Sequence, residues 1–177
     1  MIVVVATAQE CQAARQRFAG SKIIKTGVGA INVFQTLSKI ERNTPILNFG
    51  YCGSNKIKIG TEVQIGEVRL YHPSVKYNER KFMLKGDIPC YTSCDFVSAT
   101  GIKEPCVFDM ELAFILAMGF NNVSSIKIVS DNLSIKEYAG TVCGRSDHRS
   151  DQIGSDQIGS DHRSEIMKKE KGGYKND

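Results

Sequence analysis

Three acids stand where an apolar run gives way to polar chain: Glu10 in "ATAQE", Glu111 in "VFDMELAF" and Asp131 in "IVSDN". Each has an ordinary explanation. Glu10 suits the first turn of a helix, where a carboxylate meets the positive end of the helix dipole, and "SDN" is a common helix-start sequence. What points to chemistry is their shared place. In a doubly wound sheet, ligands sit beyond the carboxyl ends of the parallel strands, and all three acids fall there if the topology is right. Gly27 and Gly29 follow the second strand, "GYCGS" (50–54) follows the third, and Ser130 precedes Asp131. Carboxylates that converge on one edge can give and take protons around a single ligand. A nicotinamide or nucleotide-triphosphate site is disfavoured: "TGVG" lacks the third glycine of the dinucleotide fingerprint, and no phosphate-loop lysine follows a glycine-rich turn.

The elements that must position these acids can be read from period and punctuation. "IVVVA" (2–6) is a β-branched run of the kind expected of a strand covered on both faces, and Gln9 to Phe18 reads as a helix. "KIIKTG" is a second strand. "GAINVFQTLSKI" (29–40) predicts an amphipathic helix with Ile31, Phe34, Leu37 and Ile40 on its buried stripe. Pro45 admits "ILNFG", a third strand expected to stop at Gly50. This alternation implies an α/β fold with right-handed crossovers and a mostly parallel sheet. "VQIGEVRLY", "KFMLKG" and "CYTSCDFVSA" then follow as strands without intervening helices, so the middle of the sheet is expected to be mixed. Asp109 to Met118 is expected as a helix, "SSIKIVS" as a strand and "LSIKEY" as the start of another helix.

From Arg145 the chain changes character. The pentad SDQIG occurs twice between two copies of SDHRS, and this Ser-, Asp- and Gly-rich stretch cannot offset the entropy of ordering. A domain over 1–144 followed by a disordered tail over 145–177 is the expectation. His148 and His162 lie in the tail and are read as solvated rather than metal-binding.

Composition excludes several classes. The 177 residues carry a formal charge of +4 with lysines and arginines dispersed, which gives no support to nucleic acid binding. The apolar runs fall short of the roughly 18 to 20 residues of a membrane span, and no secretory leader is evident, so a cytoplasmic protein is expected. Six cysteines are scattered through apolar surroundings and read as reduced core residues, with Cys90 and Cys94 too poorly supported for zinc.

The ordered set "VVVATAQE" (3–10), "TGVGAIN" (26–32), "ILNFGYCGS" (46–54), "IGEVRLYH" (65–72), "DFVS" (95–98), "VFDMELAFI" (107–115) and "IVSDN" (128–132) resembles the purine nucleoside phosphorylase and nucleosidase superfamily. Within it the chain looks most like the 5'-methylthioadenosine/S-adenosylhomocysteine nucleosidases. The resemblance covers residues 1 to about 138 and implies a single-domain, three-layer α/β/α fold around a twisted, mixed but mostly parallel sheet. It also implies the roles of the residues. Glu111 would accept the ribose 2'- and 3'-hydroxyls while Met110 packs on the sugar. Asp131, with Ser130 beside it, would donate a proton toward purine N7, and Glu10 would hold the attacking water. Phe96 and Val97 would hold the adenine. Gly50 and Tyr51 would border the substrate, and Tyr71 and His72 would belong to the loop that reaches the neighbouring subunit of a homodimer. No cofactor or metal is implied, and the expected partner is a small purine nucleoside.

The chemistry accounts for these residue types. Cleaving an N-glycosidic bond leaves cationic character on the sugar and negative charge on the base, so one acid protonates the base while another activates water. An ordinary aspartate is ionised at neutral pH, so the Asp131 role requires a desolvated site or the purine itself to favour its protonated form. Glu111 serves best ionised. Phosphorolysis and binding without turnover stay open as alternatives. Hydrolysis is favoured over phosphorolysis because phosphate calls for arginines, and Arg15, the one arginine near the first loop, stands five residues past Glu10, a spacing that does not clearly share its face. The chain departs from the family pattern in its short connections before "KIIKTG" and from Tyr77 to Cys90, in Tyr51, and in the repeat tail where the family continues as a long helix.

Overall fold

A computed structural model describes residues 1–72 and 81–143, all within the first compact unit of the chain, Met1–Ser146. The tail over 145–177, with His148 and His162, lies outside the described residues. The chain runs β1 (Ile2–Val5), α1 (Ala8–Arg17), β2 (Lys22–Lys25), α2 (Ala30–Leu37), β3 (Ile46–Ser54), β4 (Glu62–Tyr71), β5 (Lys81–Met83), β6 (Ile88–Ser93), β7 (Val107–Asp109), α3 (Leu112–Ala117), β8 (Val123–Asp131) and α4 (Ile135–Cys143). It is an α/β fold with one mixed sheet. Strands β2, β1, β3 and β8 are parallel neighbours, as the strand–helix alternation requires. Past β8 the sheet turns mixed: β4 runs antiparallel to β8 and β5 but parallel to β6, and β7 is parallel to β6 and antiparallel to β3.

The apolar run of β1 is buried throughout because both of its faces are covered. Val3 and Val5 pack with Leu47, Phe49 and the α1 residue Ala14. Ile2 and Val4 point the other way, toward Val33 and Leu37 of α2 and Phe114 and Ile115 of α3. A third cluster joins β4, β6, β7 and β8 to Leu112, Ala113 and Leu116. Successive residues of β8 divide in the same way. Ile126 and Ile128 pack on the α1 side, which leaves Ser125, Lys127 and Val129 facing the other.

Three sequence expectations are corrected. β3 does not stop at Gly50 but runs to Ser54, since its second half keeps pairing with β8 and then gains β7. On α2 the buried residues are Val33 and Leu37, whereas Ile31 is 71% and Phe34 43% exposed. This helix carries apolar residues on more than one stripe, so packing against the sheet and α3 decides which stripe is buried. The helix expected over Asp109 to Met118 begins only at Leu112; Asp109 belongs to β7, paired with Thr92 of β6. Its carboxylate accepts the Leu112 N–H at 3.1 Å and so does the work of a helix cap from inside a strand.

Candidate active site

Seven peptide segments meet at the carboxyl ends of β1, β3 and β8. A cavity of about 240 Å3 opens there, walled by Ala6, Thr7 and Glu10, by Val28, by Tyr51 to Gly53, by Phe96, by Phe108 to Glu111, by Ser130 and Asp131, and by Tyr138. Glu10, Glu111 and Asp131 thus share one space although they stand far apart along the chain. A small annex of about 30 Å3 lies against Asp131, Phe96, Val97, Met110 and Leu133. Of the sequence-predicted residues, Glu10, Tyr51, Phe96, Met110, Glu111, Ser130 and Asp131 line the main cavity, and Val97 lines the annex.

Glu10 is the third residue of α1. Thr7 accepts the Glu10 N–H at 3.2 Å while Glu10 Oε2 accepts the Thr7 N–H at 2.9 Å, forming a capping box. The same oxygen accepts the Ala6 N–H at 2.7 Å, and Oε1 accepts the Tyr51 N–H at 2.8 Å. The carboxylate therefore locks the end of β1 to the middle of β3. A carboxylate offers about four acceptor positions, so three backbone donors leave one, on Oε1, for a ligand or water. Gly50 is required by this arrangement. A Cβ there would stand 2.5 Å from Glu10 Oε1.

Glu111 precedes α3 and, because Asp109 supplies the cap, its side chain is left to turn into the cavity. It is 7% exposed, and its Oε1 accepts the Gly29 N–H at 3.0 Å. Gly29 holds a left-handed φ of 86° at the start of α2, a conformation that suits glycine. Burial first, and the Asp109 charge second, push the Glu111 carboxyl up to about 7, against the pull of Lys127 and of the Gly29 N–H. Asp131 ends β8 with no exposed surface. The Ser130 hydroxyl lies 2.8 Å from its Oδ2, and Oδ1 accepts the Ser134 N–H at 3.2 Å. The ordinary readings of Glu10 and "SDN" as helix-start residues therefore hold together with their place in the cavity.

Tyr71 and His72 line a different space of about 270 Å3, with Ser93, Cys94 and the 95–99 segment. Tyr71 packs its ring edge on Phe108 at 5.2 Å, and its hydroxyl lies 3.2 Å from Thr100 Oγ1. Within one chain neither residue enters the carboxylate cavity. Phe96 meets Tyr138 of α4 edge-on at 6.0 Å, which places an aromatic pair over the annex side.

Sequence reasoning missed Tyr138, Phe108 and Val28, whose apolar character carried no signal. It also missed Lys127, whose signal was present: a lysine between isoleucines in the middle of the strand read at "SSIKIVS". Lys127 is 1% exposed and its Nζ lies 2.8 Å from Asp109 Oδ2. Burial pulls its ammonium down, but Asp109 and then Glu111 more than reverse this, so it is held as a cation. Burial pushes the Cys52 and Cys90 thiols well up, which keeps both neutral and unsuited to nucleophilic work. Among the described residues no Lys or Arg lines the cavity, Arg15 is exposed, and no group of acids, histidines or cysteines is arranged to hold a metal ion. No described helix is long and apolar enough to cross a membrane.

No family model matches the sequence, and no curated protein matches it. Solved structures match by fold. A variant of MTAN from Chlamydia trachomatis superposes with a TM-score of 0.65 at 16% identity, covering 81% of this chain and 87% of that one. The 5'-methylthioadenosine/S-adenosylhomocysteine nucleosidase of Neisseria meningitidis, in complex with methylthio-immucillin-A, gives 0.63 at 16% identity over 80% and 90%. Futalosine hydrolase of Helicobacter pylori gives 0.64 at 11% identity over 80% and 89%. At these identities the similarity establishes a shared fold, the one adopted by these nucleoside hydrolases.

Proposed function

We propose that this protein hydrolyses the N-glycosidic bond of a purine nucleoside of the 5'-methylthioadenosine/S-adenosylhomocysteine type, releasing adenine. The observation that carries the reading is the single cavity shared by Glu10, Glu111 and Asp131. In this reading Glu111, as an anion, accepts the two ribose hydroxyls and faces the developing sugar cation, with Met110 against the sugar. Asp131, assisted by Ser130, donates a proton toward N7 of the departing base. Glu10 presents its remaining acceptor position to the attacking water. Phe96 stacks on the adenine and Val97 borders it, in the annex beside Asp131. Water is the only co-reactant, and no cofactor is called for.

Hydrolysis is favoured over phosphorolysis by the absence of any cationic side chain from the cavity lining among the described residues. Tyr51 also forms part of the wall beside Glu10. The three-layer α/β/α arrangement is part of the same reading, supported by α1 packing on one face of β1 and α2 and α3 on the other. So is a homodimer, in which Tyr71 and His72 serve the partner's site; exposed Ile31 and Phe34 on α2 are consistent with a covered face.

The test is a product assay. Purified protein given methylthioadenosine should release free adenine without added phosphate, and Asp131→Asn should abolish release. Adenine formed only in the presence of phosphate would replace hydrolysis by phosphorolysis. Binding that depends on Glu111 but yields no product over hours would leave a nucleoside-binding protein.

A further inference from the structure

The cavity is lined by carboxylates, yet the cation that balances them does not line it. Lys127 stands one layer behind, in β8, where its backbone is held on both sides: it pairs with Gly50 of β3 and with Val63 of β4. Among the described residues its side chain is the largest fully buried one. A buried lysine is costly unless paired, and this one is paired with Asp109 at 2.8 Å. Asp109 in turn accepts from two further donors. Thr92 of β6 donates its hydroxyl to Oδ1 at 2.6 Å, and Oδ2 accepts the Leu112 N–H at 3.1 Å; the Thr92 oxygen accepts the Ala113 N–H at 3.0 Å. One cation thus holds the carboxylate that starts α3, two residues before Glu111.

We propose that Lys127 is a positioning residue: through Asp109 it fixes the start of α3 and, as the nearest buried cation, it keeps Glu111 available as an anion toward the cavity. A core ion pair placed only for stability need not sit beside a functional acid, and replacing such pairs with apolar side chains often costs nothing. Here the groups facing Glu111 are Asp109 beside it, Glu10 from α1, Asp131 across the cavity, the Gly29 N–H ahead of α2, and Lys127 from β8. Lys127 is the only cation among them. Without it, Asp109 and Glu10 would oppose the ionisation of Glu111, with the Gly29 N–H alone in its favour. The role in substrate binding rests on the nucleosidase reading; the control of Glu111 does not.

The test separates the two. Carboxyl-carbon NMR titration of protein labelled at glutamate, with the Glu111 signal identified by its loss in Glu111→Gln, reads the ionisation midpoint without any ligand. Lys127→Met should raise that midpoint by about one unit or more, and Lys127→Arg should leave it close to the native value. An unchanged midpoint in folded Lys127→Met overturns the proposal, because a purely structural lysine would alter melting and not titration. If Lys127→Met does not fold, Asp109→Asn is compared with Asp109→Asn/Lys127→Met, which removes the pair together. A higher midpoint in the double variant supports the proposal, and equal midpoints overturn it. Methylthioadenosine affinity measured against pH on the same proteins should follow the Glu111 midpoint. A native chain that binds no nucleoside while its Glu111 midpoint still depends on Lys127 would sink the nucleosidase reading and leave this inference standing.

Discussion

At the scale of single residues, Glu111 is the group whose environment makes the sharpest predictions. Its carboxyl is raised from the ordinary 4.5 to about 7, chiefly by burial. A carboxyl raised in the folded state holds its proton where the unfolded chain has already released it. Stability therefore falls as pH rises from about 4.5 to about 7, and the loss persists above, on the order of 3 kcal/mol in full. Glu111→Gln, neutral throughout, should escape this loss: denaturant melts should find it more stable than the native chain at pH 8 and comparable near pH 4. The same variant should lose about a hundredfold or more in kcat/KM, since it cannot face the developing cation as an anion. Under the proposed nucleosidase activity, kcat/KM of the native chain should fall on the acid side of about 7, because that ratio reports the free protein's groups. Gly50 is the second informative residue. Gly50→Ala would force a methyl to within 2.5 Å of Glu10 Oε1, so the bond to the Tyr51 N–H must open. A stability loss of about 1–3 kcal/mol, with severely reduced adenine release, is the expected result of parallel melting and product assays.

Among the elements, α3 and α4 show how short helices are made to serve a site. α3 has only six residues, too few to be stable alone. It exists because Leu112 through Leu116 are buried and because Asp109 and Thr92, both on strands, satisfy its first N–H groups. Periodicity along 109–118 shows the apolar run but not where the helix begins, since the donor–acceptor pairs that set its start come from β6 and β7. The same limit applied to α2, whose two possible apolar stripes look alike in sequence. α4 reaches the cavity through Tyr138, which meets Phe96. Tyr138→Ala should therefore raise KM for a purine nucleoside about tenfold with a smaller change in kcat, a split that steady-state kinetics can read. An equal fall in kcat at unchanged KM would place Tyr138 in the chemistry rather than in the aromatic wall.

Over the whole molecule, the proposed homodimer is checked by sedimentation: the native chain should run at twice its 19.5 kDa mass, and Ile31→Asp should shift it toward the monomer if α2 lies at the contact. A monomeric native chain that is fully active would remove the partner role of Tyr71 and His72. The sequence by itself determined the alternating strands and helices, the mixed middle of the sheet, and the placing of Glu10, Glu111, Ser130 and Asp131 at strand ends, whereas Tyr51, Phe96 and Met110 were named through the family resemblance. It could do so because an apolar run, a glycine turn and an acid at a helix start are local patterns with local causes. The tertiary structure alone decided that β3 continues to Ser54, that Asp109 lies in a strand, that Val33 rather than Ile31 faces the core, and that Lys127 answers Asp109 across the fold. Those outcomes depend on which distant segment supplies a pairing edge, a covering face or an opposite charge. No neighbour in the sequence carries that information.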